Sequence, residues 1–113
     1  MDHKVFVYGT LRDYAGVSEA THTLTGYAMY DAGKFPYITE GDVGDAVHGN
    51  ILIADDTVME DFDRYESVNT GLYVRKKASV MRISDREAVE CWVYIAGPTL
   101  LPRRIASGDW RNR

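Results

Sequence analysis

The chain carries one cysteine, three prolines and no apolar run approaching the ~20 residues that span a bilayer. A single thiol, Cys91, excludes an internal disulfide, and no Cys/His cluster has metal-ligand spacing, so no metal site is expected. No low-complexity tract, Pro/Ser-rich linker or solenoid-length repeat divides the sequence. Basic charge is short as well: 13 Lys+Arg against 17 Asp+Glu leave a formal charge of −4. Proteins that hold phosphate backbones without sequence preference gain affinity by releasing counterions from a basic face, so no nucleic-acid partner is expected. The opening Met1-Asp2-His3-Lys4 leads straight into a strand pattern without the apolar region of a signal peptide. With the lone cysteine, that start predicts a reducing cytoplasm and no membrane partner.

What is present is the composition of a folded globular chain: 113 residues, 45% hydrophobic, 12% aromatic and 27% charged. The length predicts one domain over residues 1–113, able to bury roughly two-thirds of its unfolded surface. Residues 4–8 are β-branched and aromatic and stop at Gly9-Thr10, which predicts a strand. Residues 23–30 form a second extended stretch and residues 47–54 another. Pro36 makes residues 35–38 an edge or loop segment, because proline cannot donate to a ladder.

One helix follows. Thr57-x-x-Glu60 matches a capping box, and Val58, Phe62 and Tyr65 recur at helical spacing with Asp61 and Asp63 on the outer side. The helix is expected to end near Asn69-Thr70-Gly71. Residues 72–83 and 88–95 read as two paired strands joined by the turn Ser84-Asp85-Arg86-Glu87. Residues 102–108 read as a short helix before a basic end with Arg103, Arg104, Arg111 and Arg113, taken as a solvated tail. Five or six mostly antiparallel strands with one short capping helix predict a small barrel-like α+β domain.

Two features stand out from that frame. Tyr8-Gly9-Thr10-Leu11-Arg12 closes the first strand, and a glycine there lets the backbone turn sharply and approach a ligand. Successive amides in such a turn form a donor site for a carboxylate or oxyanion; the plainer reading is an ordinary strand-to-loop turn. Glu66 falls one turn beyond Phe62, beside the apolar stripe and near the helix C-terminus, where the helix dipole disfavours a carboxylate. Burial and the dipole would both raise its pKa. The plainer reading is a glutamate that swings to solvent or pairs with Arg64 or Arg75. His48 and Cys91, each on a strand, read as structural residues.

Together these features resemble the γ-glutamylcyclotransferase-like family, whose opening strand ends in Tyr-Gly-Ser/Thr-Leu. Residues 5–12, Val-Phe-Val-Tyr-Gly-Thr-Leu-Arg, match that signature. Phe35-Pro36, Val47-His48-Gly49-Asn50-Ile51, Tyr65-Glu66 and Tyr73-Val74-Arg75 follow in the family's order. The resemblance implies an α+β fold, a small mixed β-barrel of six or seven elements with a few short flanking helices. It also implies a cavity lined by the Tyr8-Gly9-Thr10-Leu11 loop and by Tyr73. Glu66 takes the position of the family's general acid/base, and the amides at Gly9, Thr10 and Leu11 those that bind the glutamyl group.

The reaction implied is attack of an α-amino group on its own γ-carbonyl, giving 5-oxoproline and a free amine. It needs no cofactor, and the only partner implied is a small γ-glutamyl compound. The competing reading is a non-catalytic module that keeps the cavity for a small carboxylate or amino-acid-like ligand.

Overall fold

Val5, Phe6, Val7 and Tyr8 are all buried in a computed structural model of the chain, so from Val5 onward the first strand has no solvent face. The structure describes residues 2–9, 19–31, 36–42, 44–65, 73–96, 104–105 and 107–110. Its elements are β1 (His3–Val7), β2 (His22–Thr25), β3 (Tyr27–Asp31), β4 (Pro36–Glu40), β5 (Ala46–Ala54), α1 (Asp56–Tyr65), β6 (Tyr73–Arg82), β7 (Ala88–Ala96) and β8 (Arg104–Ile105).

The strands β1-β5-β2-β6-β7 close a barrel in that order. Its pairings are antiparallel except between β1 and β7, where Val5 faces Trp92 and Phe6 faces Val93 in parallel register. The remaining strands make a separate three-stranded sheet in the order β4-β3-β8. The small mixed barrel is therefore as expected: five strands close it, and the described residues hold one α-helix.

Two apolar clusters explain the burial of β1 on both faces. Phe6 and Tyr8 join Leu24, Val47, Val80, Val89, Cys91 and Val93, a set drawn from all five barrel strands and therefore interior. Met29, Ile38 and Trp110 close that core from the second sheet and the C-terminal turn. Val5 and Val7 point the other way, into a cluster with Met59 and Phe62 of α1 and with Tyr37, Tyr73 and Tyr94. A strand packed on both sides loses the apolar–polar alternation that marks a half-exposed one.

The stretch expected as one strand over residues 23–30 is two. Gly26 adopts φ +80°, a conformation that glycine takes without steric cost, and there the chain leaves the barrel for the second sheet. Its N–H donates to the Asp45 carbonyl and its carbonyl accepts from Gly41, which pins the crossing. Pro36 opens β4, an edge strand, as its missing donor requires. The β6–β7 hairpin pairs Tyr73 with Ala96 through Met81 with Ala88, and Arg86 takes φ 61° in its turn.

Three local expectations change. The helix cap is Asp55, whose Oδ1 accepts from the Val58 N–H at 2.9 Å, so Thr57 lies inside the helix rather than at its cap. Asp63 is half-buried and paired, not on the outer face. Within residues 102–108 the described part is the strand β8 followed by a turn at Ser107 and Gly108, in place of the expected short helix. The expected helix end at residues 69–71, and Arg103, Arg111 and Arg113, lie outside the described residues.

Candidate functional site

Tyr8 directly follows β1, and its ring belongs to the barrel interior beside Phe6. Its hydroxyl donates to the backbone carbonyl of Tyr94 near the end of β7. The parallel β1–β7 register makes that contact possible, because it brings both strand ends to the same rim of the barrel. Gly9 comes next, half-buried. A Cβ at this position would stand 2.6 Å from Cγ of Pro36 and 3.0 Å from its Cδ. Glycine is therefore required for close approach: the backbone and the Pro36 ring occupy the space a side chain would take.

Tyr73 opens β6 and is buried. Its hydroxyl donates to the carbonyl oxygen of Pro36. One proline thus takes the Gly9 backbone against its ring and the Tyr73 hydroxyl on its carbonyl. Tyr8, Gly9 and Tyr73, singled out in the sequence as substrate-binding residues, meet at one rim. Thr10, Leu11 and Glu66 lie outside the described residues.

The last described turn before Glu66 is tied to the β6–β7 hairpin. Asp63, in the last turn of α1, accepts a hydrogen bond from the Tyr94 hydroxyl at 2.8 Å and pairs with Arg75 at 3.1 Å. Arg75 also lies over the Trp92 ring, 4.8 Å from its centroid, and Lys77 lies 4.7 Å from it. Arg64 pairs with Asp61. Both guanidinium groups weighed as partners for Glu66 therefore hold other carboxylates.

Sequence reasoning missed three residues of this rim. Tyr94 supplies a carbonyl to Tyr8 and a hydroxyl to Asp63, and nothing in its own neighbourhood marks it. Asp63 had a legible signal, since it follows the buried Met59 by four residues and so shares its face. Tyr37, next to Pro36, is 3% exposed and stacks on Tyr30 with ring centroids 5.4 Å apart. Its phenol is pushed up from its ordinary pKa first by burial and then by Tyr30, so it is a neutral donor at physiological pH. Cys91 is a buried core thiol, its pKa raised to about 11 mainly by burial.

A mixed barrel with a tyrosine–glycine strand end packed on a proline, and an acid-bearing helix crossing one outer face, defines a small α+β barrel class rather than an open sheet or sandwich. The chain belongs to the gamma-glutamyl cyclotransferase, AIG2-like family, whose sequence model matches residues 5–112. It is 34% identical, over 132 aligned positions covering 100% of this chain and 99% of the relative, to a Vibrio cholerae protein provisionally named a gamma-glutamylcyclotransferase. Its fold is that of a mouse AIG2-like protein, with TM-score 0.69 and 21% identity over 90% of this chain and 86% of that one. An Arabidopsis thaliana protein solved in solution is similar at TM-score 0.70 and 24% identity, over 90% of this chain and 76% of that one. No helix among the described residues is long and apolar enough to cross a membrane.

Proposed function

We propose that this protein cyclises a γ-glutamyl amine or γ-glutamyl amino acid to 5-oxoproline and releases the free amine, with Glu66 as general acid/base. The observation that carries the reading is the meeting of Gly9 and Tyr73 on Pro36, which joins two separate family motifs at one rim. Family membership supplies the reaction class. The remaining roles follow from chemistry.

A γ-glutamyl chain is flexible, and holding it curled brings its α-nitrogen to attack distance of its own γ-carbonyl. Well-oriented intramolecular attack is worth up to roughly 7–11 kcal/mol of barrier. The deprotonated α-nitrogen forms the new C–N bond, and the original γ-amide C–N bond breaks. One proton leaves the attacking nitrogen and one reaches the departing amine, and a single carboxylate, Glu66, carries it between them. Negative charge that develops on the γ-oxygen is met by the backbone N–H groups at Gly9, Thr10 and Leu11. Tyr8 and Tyr73 line the pocket, each fixed through its own hydroxyl.

The test is release of 5-oxoproline from a panel of γ-glutamyl amines and dipeptides, followed by mass spectrometry. Native protein is expected to turn over at least one of them. Glu66→Gln should lower the rate by about a hundredfold or more, the usual contribution of a positioned acid/base. No product from the whole panel, or undiminished turnover by Glu66→Gln, rejects the reading. Binding without turnover in the native protein leaves the ligand-binding module instead.

A further inference from the structure

The Tyr37 hydroxyl is buried and has no hydrogen-bond partner among the described residues. Buried polar atoms are satisfied in native proteins with few exceptions, and each exception calls for an explanation. The surroundings of this one are specific. Tyr37 follows Pro36, the residue on which Gly9 and Tyr73 converge, and packs in the same cluster as Tyr73, Tyr94 and Phe62. Tyr30, directly opposite on β3, stacks on its ring at an interplanar angle of 17°, so the ring is fixed and the hydroxyl with it. The neighbouring rim hydroxyls all have partners: Tyr8 donates to the Tyr94 carbonyl, Tyr73 to the Pro36 carbonyl and Tyr94 to Asp63. Four tyrosines gather at this rim, three committed to the protein and one held rigid with its donor unspent.

We propose that Tyr37 is a substrate-binding residue whose hydroxyl donates to an acceptor oxygen, carboxylate or carbonyl, of the bound γ-glutamyl compound. The inference rests on the cyclotransferase reading and adds to it a fixed, neutral donor from the second sheet, one residue along from the Pro36 on which Gly9 packs. A donor locked by stacking loses little freedom on binding, so its hydrogen bond is spent on holding the compound rather than on ordering the protein. Its effect belongs in KM: the bond forms when the compound binds and persists through the reaction.

The test is Tyr37→Phe, which keeps the ring and its stacking on Tyr30 and removes one oxygen. KM for the best γ-glutamyl substrate should rise about tenfold, the scale of one lost hydrogen bond, with kcat within about threefold. The thermal midpoint without compound should hold or rise, because a buried oxygen without a partner has been removed. A second readout uses Glu66→Gln protein, in which the rise in thermal midpoint produced by the same compound should shrink when Tyr37→Phe is added. Unchanged KM and an unchanged compound-induced rise overturn the assignment of Tyr37 while leaving the enzyme reading intact. A lower thermal midpoint with unchanged KM gives Tyr37 a purely structural role and also overturns it. Native protein that neither turns over nor is stabilised by any γ-glutamyl compound removes the cyclotransferase reading, and this inference with it.

Discussion

Gly9 and Cys91 are two small residues whose substitution or modification reads opposite properties of the barrel. An alanine at position 9 would drive its methyl into the Pro36 ring, 2.6 Å away, and Pro36 is held through its carbonyl by the Tyr73 hydroxyl. Gly9→Ala should cost about 1–3 kcal/mol through overpacking. It should also displace the loop enough to lower 5-oxoproline release more than tenfold, while circular dichroism stays native. Thermal midpoint and turnover measured together check this, and native turnover in the variant would mean that the rim yields freely. Cys91 carries a thiol raised to about 11 by burial, so it is protonated near neutrality and sealed from solvent. Folded protein at pH 8 should therefore resist a disulfide reagent that reacts fully once urea is added, and labelling of folded protein would contradict the packing. Both residues were legible in the sequence as types, a glycine needing close approach and a core thiol. What approaches Gly9 was not, because the Pro36 ring comes from another sheet.

At the scale of elements, α1 shows where a local motif competes with another equally local one. Thr57-x-x-Glu60 has the pattern of a capping box, yet β5 ends at Ala54 and the next residue, Asp55, already accepts from the free Val58 N–H. Asp55→Ala should lower stability by about 1 kcal/mol. Thr57→Ala, inside the helix, should change it by far less, and urea unfolding of the two variants separates the assignments. At the other end of α1 the spacing from Met59 turns Asp63 inward, but its partners are not local. The β6–β7 hairpin folds back and sets Arg75 and the Tyr94 hydroxyl against it. Removing the carboxylate should therefore loosen the helix end adjoining Glu66 more than it destabilises the barrel. Asp63→Asn is expected to reduce kcat about threefold to tenfold, with a loss of stability near the 0–1 kcal/mol of a partly exposed ion pair. A large fall in thermal midpoint with unaltered kcat would show that the pair serves only the fold.

For the whole molecule, strand content was readable but closure was not. From Val5 onward β1 is buried on both faces and so carries no alternation to say which side is inside, and the β1–β7 parallel pairing joins the two ends of the barrel sequence. The seam on the opposite side carries a titratable group. His22 lies on β2, pairs with Gly49 on one side and Arg82 on the other, and is 8% exposed. Its pKa is lowered from the ordinary 6.5, first by burial and then by the Arg82 charge, with Asp85 opposing them. Thr21 Oγ1 lies 2.8 Å from its Nδ1, and the buried Asn50 side chain donates to Thr21 and to the Glu19 carbonyl beside it. The unfolded chain thus binds a proton at His22 more readily than the folded one. Stability associated with neutral His22 is present above pH 6.5 and is lost as pH falls from there through the lower folded value. Asp56 and Asp85, whose pKa values are lowered from 3.8 chiefly by hydrogen bonds from His3 and from the Glu87 N–H, act in a separate, more acid window. Urea midpoints measured from pH 8 to pH 5 should fall below pH 6.5 in native protein and flatten in His22→Gln. A decline that begins only below pH 4 would place the acid sensitivity in the carboxylates and remove the histidine from the seam's energetics.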